Sequence, residues 1–306
     1  MNGVLALILC ALGWSLGGVF LKYVNGNSLA IAGMRSFIAF FGLMIVTRSL
    51  PKFVVREEDS SGSKKIDVKS TVNMWLGGIF YALTMILYCV GNKMTTAANT
   101  TLLQYTAPIY VIILGPLLLG EKNRWTDYLT VAGVIAGMLL FFSDALFFQG
   151  RQEFNKIYFW GNVVAVFSGV AYALCTIFIR KVKGLRGASQ NCFILAQMVA
   201  FIICLPFIIQ NGLPDRQSLI FLLLLGFFQM AVPNALYAHG IKSVSALSAI
   251  LITMIEPLMN PVWVAVFVGE VPSVTCVIGG VIIMLCILVR EIINNKTGKK
   301  EVEYTK

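Results

Sequence analysis

Two charged residues, Arg35 and Glu256, lie well inside long apolar runs of this 306-residue sequence. A charge at the centre of a membrane helix costs about 2.5 to 3.5 kcal/mol on insertion scales, so each must face a cavity or a partner. Glu256 directly precedes Pro257, and Pro108 holds the equivalent place in the first half, preceded by Ala107. Proline removes an amide donor and crowds the carbonyl one turn earlier, so both positions predict helix breaks whose freed backbone must meet protein, water or a ligand. Broken helices at matching places in two repeats point to a solute site. A carboxylate at such a break is able to exchange a proton, or to stay ionised and hold an amine. These and other apolar runs carry Gln104, Tyr105, Gln229 and Asn260, and two aromatic pairs, Trp14 with Tyr172 and Tyr88 with Tyr237. An aromatic wall with a few placed polar groups suits an amphipathic solute, or a cation held over ring faces. The candidate binding set is therefore Trp14, Arg35, Tyr88, Gln104, Tyr105, Pro108, Tyr172, Gln229, Tyr237, Glu256, Pro257 and Asn260. The plainer reading of any single amide is a bridge between helices, and of Arg35 and Glu256 a structural ion pair or a tether to backbone carbonyls.

These residues sit on a repeated plan. The stretch KMTTAANTTLLQYTAPIYVIILGPLLLGE, Lys93 to Glu121, returns as KSVSALSAILITMIEPLMNPVWVAVFVGE, Lys242 to Glu270. One constant offset pairs Tyr88 with Tyr237, Gly91 with Gly240, Ala97 with Ala246, Pro108 with Pro257 and Glu121 with Glu270. The two glutamates fall just before the next helix begins, where a carboxylate meets free amides and the positive end of the helix dipole, so we read them as structural.

With 58% apolar and 12% charged residues, the chain exceeds what a soluble domain of this length hides in one core. It reads as an all-α polytopic membrane protein. The net charge of +10 comes from bases clustered between apolar runs, with no basic helix face, which argues against nucleic acid as a partner. The seven cysteines fall within or at the edge of apolar runs and form no CxxC pair, so they read as small buried side chains. His239 is the single histidine, so no metal site and no cofactor is expected.

Ten runs are long enough to cross a bilayer, about 20 residues each. They are Gly3–Leu21, Leu29–Val46, Val72–Val90, Ala98–Leu119, Trp125–Phe142, Ile157–Ile179, Ser189–Ile209, Ser218–Tyr237, Ala246–Val268 and Ser273–Val289. The first lacks a basic leader and a small-residue cleavage site, so we expect it to be retained. Pro51 to Ser70 reads as a polar flexible linker and Glu291 to Lys306 as a polar tail. Bases concentrate in one set of loops, including Arg48, Lys52, Lys122, Arg180 and Lys242, which predicts both termini in the cytoplasm. Five helices per repeat is odd, so the second copy enters from the opposite side. The expected architecture is ten transmembrane helices as two inverted five-helix repeats, residues 1–143 with a cytoplasmic linker 48–71, residues 157–290, and a cytoplasmic tail 291–306.

This pattern, with TAPIYVIILGPLLLGEK in the fourth run and IEPLMNPVWVAVFVGE in the ninth, resembles the EamA type of the drug/metabolite transporter superfamily. The resemblance implies a central cavity between helices 1 to 4 and 6 to 9, peripheral helices 5 and 10, and alternating access for small metabolites such as amino acids, often exported. It implies a small-molecule substrate and the lipid bilayer as partners and residence in the cell membrane; a proton coupled through Glu256 and a homodimer are further candidates. Two departures stand out, Ala107 opposite Glu256 and the length of the linker. A receptor or sensor is the rival class, as is a membrane-embedded enzyme, but a receptor needs no matched breaks and no nucleophile with its base, nor any metal-ligand cluster, is visible.

Overall fold

A computed structural model describes residues 2–21, 23–58, 64–95, 97–143, 156–185, 187–268 and 273–303. The chain is helical almost throughout: α1 (Gly3–Ser15), α2 (Gly17–Leu21), α3 (Ser28–Thr47), α4 (Val68–Met94), α5 (Ala97–Gln104), α6 (Ala107–Leu119), α7 (Trp125–Phe141) and α8 (Lys156–Lys181). There follow α9 (Ala188–Asn211), α10 (Arg216–Leu224), a π-helical segment (Leu225–Ala231), α11 (Val232–Gly240), α12 (Ala246–Thr253), α13 (Ile255–Val268) and α14 (Val274–Glu303). Among the described residues seven helical stretches are long and apolar enough to cross a membrane, and three shorter apolar helices accompany them, Trp125–Phe141, Ala246–Met259 and Val274–Arg290. Large apolar side chains such as Ile45, Leu117, Leu129 and Ile209 point outward, as a lipid-facing surface requires.

Helix ends follow local chemistry. Asn2, Asn27, Asp67, Asp215 and Ser245 each accept a first-turn amide with the side chain, satisfying donors that the helix itself leaves free. Gly120 closes α6 at φ 70°, a left-handed conformation that glycine adopts without steric cost.

In the segment read as a flexible linker, the described residues are tied down. Arg56–Glu58 pairs antiparallel with Lys64–Ile66, as β1 and β2. Its base is held by hydrogen bonds from the Lys52 amide to Asn191 Oδ1 (2.7 Å) and from the Trp75 indole to the Phe53 carbonyl (2.9 Å). The polar tail likewise continues α14 as helix to Glu303.

Helix α4 packs along α8, α3 along α9, and α1 against α11, α12 and α13, while α5 and α6 pack on α8. Helices α7 and α14 pair closely, because Gly133 and Gly137 lie against Cys286 and Ile283, and a Cβ on Gly279 would meet the Gly137 carbonyl at 2.6 Å. Two large apolar cores result, beside a smaller third of Val24, Ile31, Leu222 and Leu225. One gathers Leu7, Cys10, Trp14, Tyr81, Phe193 and Tyr237, and the other gathers Tyr105, Val111, Met138, Tyr172, Leu251 and Ile283.

Candidate functional site

Between the two cores lies a cavity of about 170 Å³ lined by Trp14, Gly17, Leu21, Arg35, Tyr81, Thr84, Met85, Tyr88, Thr101, Gln104, Tyr105, Tyr172, Gln229, Met230, Glu256 and Pro257. Nine of the twelve sequence candidates are among these. Pro108 and Tyr237 are not: Pro108 is buried in the first turn of α6, and Tyr237 is 1% exposed behind Trp14, its hydroxyl 2.8 Å from Thr176 Oγ1. The Asn260 side chain falls outside the described residues, as does Glu270.

Four interruptions of helical backbone surround the cavity. Helix α5 ends at Gln104 and α6 starts at Ala107; α12 ends at Thr253 and α13 starts at Ile255, so the breaks fall one turn before Pro108 and Pro257 as proline chemistry requires. The carbonyl freed at the first break does not face the cavity. Leu103 O accepts from the Thr106 hydroxyl (2.6 Å), and Gly169 of α8 packs so closely that a Cβ there would meet Gln104 O at 2.8 Å. The other two interruptions were not read from sequence. One separates α1 from α2 at Leu16, and the Gly17-Gly18 pair inside an apolar run is the available signal. The other is the π-helical segment before Pro233, which presents Gln229 and Met230 to the cavity. Tyr81, Thr84, Met85 and Tyr88 also share one face of α4 at helical spacing, a period that extends back from Tyr88.

Most polar groups of the wall are bound to the framework. Tyr88 pairs with Thr101 (2.9 Å), Tyr172 with Thr253 (2.8 Å), the Gln229 amide donates to the Trp14 carbonyl (3.2 Å), and the Tyr105 hydroxyl donates to Glu256 Oε2 (2.7 Å). Four side chains of the wall keep polar atoms that the described framework does not use. Arg35 is 9% exposed, its Nε meets no hydrogen-bond partner among the described residues, and no described carboxylate lies within 4.0 Å of it. Gln104 Oε1 and Gln229 Oε1 are also buried without a partner, and Glu256 brings a carboxylate to the same space. A guanidinium and a carboxylate, with two carboxamide side chains beside them, can together hold a small molecule carrying an anionic group and a hydrogen-bond-donating or cationic group.

Glu121 acts elsewhere than before its own following helix. It bonds to the Arg180 guanidinium and accepts the Ala246 amide (3.1 Å), so it caps α12 from across the bundle. Capping before α7 falls to Asp127, which accepts the Arg124 amide (2.7 Å) and pairs with buried Arg290 (2.8 Å).

Helices that present apolar side chains outward and enclose a small polar cavity define a multi-pass membrane transporter. The EamA-like transporter family matches residues 1–143 and 159–290, and the chain belongs to that family, within the drug/metabolite transporter superfamily. An uncharacterized transporter of Archaeoglobus fulgidus is 26% identical over 288 residues, covering 94% of this chain and 95% of that protein. Solute carrier family 35 member G1 of Mus musculus is 25% identical over 226 residues, covering 72% of this chain and 55% of that protein. A protein of known crystal structure superimposes with a TM-score of 0.73 at 17% identity, over 95% of this chain and 97% of the other, a likeness of fold.

Proposed function

We propose that this transporter moves an amino acid, or a related small amphipathic solute bearing an amine and a carboxylate, by alternating access through the central cavity. The observation that carries the reading is Arg35, a buried cation with no described ion-pair partner, in one small cavity with Glu256. The solute carboxylate would sit at Arg35 and its ammonium group at Glu256, Gln104 and Gln229. Size favours a small solute: about 170 Å³ is below the roughly 300 to 1,000 Å³ typical of sites for drug-sized ligands.

The architecture we infer is ten transmembrane helices in two inverted five-helix repeats. Two features support it. Helices α5 and α12 start at Ala97 and Ala246 and end at Gln104 and Thr253, pairs related by the one constant offset of the sequence repeat. Helix contacts come in pairs that exchange under such a repeat: α4 with α8 answers α11 with α1, and α5 with α8 answers α12 with α1. With both termini cytoplasmic in the cell membrane, the cavity reaches toward the outer face through Leu21, Tyr88 and Thr101. Net export is the direction that the family resemblance implies, and proton exchange at Glu256, the carboxylate beside the Pro257 break, is the coupling step. A homodimer remains part of the proposal without a site.

A thermal-shift screen of purified protein against amino acids, amines, nucleosides and sugars tests the substrate class, followed by flux in proteoliposomes. Stabilisation by amino acids that weakens when either the amine or the carboxylate is blocked is expected. Stabilisation by sugars or nucleosides alone would overturn the reading.

A further inference from the structure

Along α1 and α2 the lining residue farthest from Leu21 is Trp14, and along α4 the one farthest from Tyr88 is Tyr81, so we take these two rings as the floor of the cavity. Both carry a polar donor, and both donors point away from the cavity into one acceptor. Asn234 of α11 is fully buried, and its Oδ1 accepts from Trp14 Nε1 at 3.1 Å and from the Tyr81 hydroxyl at 2.8 Å. Two bonds use both lone pairs of that oxygen. The Asn234 amide nitrogen has no partner among the described residues, so the side chain serves here as an acceptor alone. The two rings also pack on other aromatics: Trp14 stacks on Tyr237 at 5.5 Å between centroids, and Tyr81 meets Phe193 edge-on at 4.8 Å. The seat is tight as well, since Pro233 lies where a Cβ on Gly13 would approach it to 2.5 Å.

We propose that Asn234 is a specificity-determining positioning residue: by taking both donors it makes the floor of the cavity a carbon surface, which selects a solute with an apolar side chain. The charged groups that face the solute, Arg35 and Glu256, belong to other helices, α3 and α13. A solute with a polar side chain would find both donors of the floor already taken and would lose its hydration there. Without the acceptor, Trp14 and Tyr81 would carry buried unpaired donors, and their relief is to turn toward water in the cavity. The floor then becomes polar and the preference for an apolar side chain falls.

L-leucine and L-asparagine have nearly the same shape and differ in polarity, so the ratio of their affinities reads the floor. The choice of these probes rests on the amino-acid reading above. Asn234→Leu should lower the leucine preference by about tenfold or more, the scale on which a buried hydrogen-bonding group discriminates. Asn234→Asp keeps the acceptor and should hold the wild-type ratio, and Tyr81→Phe, which deletes a donor instead, should leave it equal or higher. A ratio unmoved in Asn234→Leu, or lowered alike in all three variants, overturns the proposal. A second readout needs no solute: solvent exchange of the Trp14 indole proton, assigned by its loss in Trp14→Phe, should quicken in Asn234→Leu and not in Asn234→Asp. If the wild type binds neither amino acid, the amino-acid reading falls, and the indole proton decides alone. Equal exchange in wild type and Asn234→Leu then overturns the floor.

Discussion

Glu256 is where one residue decides between structure and function. Its carboxylate takes the Tyr105 hydroxyl at 2.7 Å, and Glu256→Gln keeps the shape and can still accept that bond. Flux per folded molecule should fall sharply and lose its pH dependence, with little change in melting temperature; a large melting loss with unchanged flux would make the group structural. Asp67 supplies a titration outside the membrane. Hydrogen bonds from Ser70, whose amide lies 3.1 Å away, hold its carboxyl below the ordinary value of 3.8. The folded pKa lies below the unfolded one, so this contribution is fully present above the unfolded value and is lost as pH falls through the folded value. The melting temperature of wild type should therefore fall more than that of Asp67→Asn as pH drops below about 4. Arg35 and Glu256 were legible because an unsolvated charge in an apolar run has few explanations. Tyr81 and Tyr237 were not separable on such grounds, because a tyrosine in an apolar run looks the same whether it faces a cavity or stacks behind another ring.

The two proline breaks make different demands on their surroundings. Pro257 lines the cavity, whereas the break before Pro108 is sealed by Thr106 and Gly169. Pro257→Ala should reduce transport several-fold more than Pro108→Ala; equal uptake by both variants and wild type would return both to packing kinks. Gly169→Ala would force α8 away from α5, at about 1 to 3 kcal/mol for overpacking, read as a lowered melting temperature. The Asp127–Arg290 pair joins α7 to α14, and Arg290 also donates to Ser248 at 2.8 Å. Removing one partner strands a buried charge at about 3 to 5 kcal/mol, so Arg290→Met should destabilise strongly and Asp127→Asn added to it should recover part of the loss. At this scale the sequence spoke through proline and repetition. The breaks in the fourth and ninth runs were legible, but the interruption at Leu16 and the π-helical turn before Pro233 depend on how α1 and α11 pack together, which no single run encodes.

For the molecule as a whole, the two-repeat reading assigns sides to the membrane. In a cysteine-free background, a cysteine replacing exposed Gln217 should react with an impermeant reagent applied outside and one replacing exposed Lys122 should not; the reverse pattern would invert the topology. Composition alone settled that the chain crosses a membrane many times, and the constant offset between halves indicated where its cavity would lie. Selectivity was out of reach, because it depends on which polar groups the packing leaves unpaired. The central claim is that one solute spans Arg35 and Glu256 as the protein alternates between the two faces. Counterflow of labelled L-leucine in proteoliposomes tests it most directly, comparing wild type with Arg35→Gln, Glu256→Gln and the double variant. The account predicts uptake by the wild type, at least about tenfold less by either single variant, and little further loss in the double. Wild-type uptake that survives both substitutions, or no uptake of any amino acid by folded wild-type protein, would contradict it.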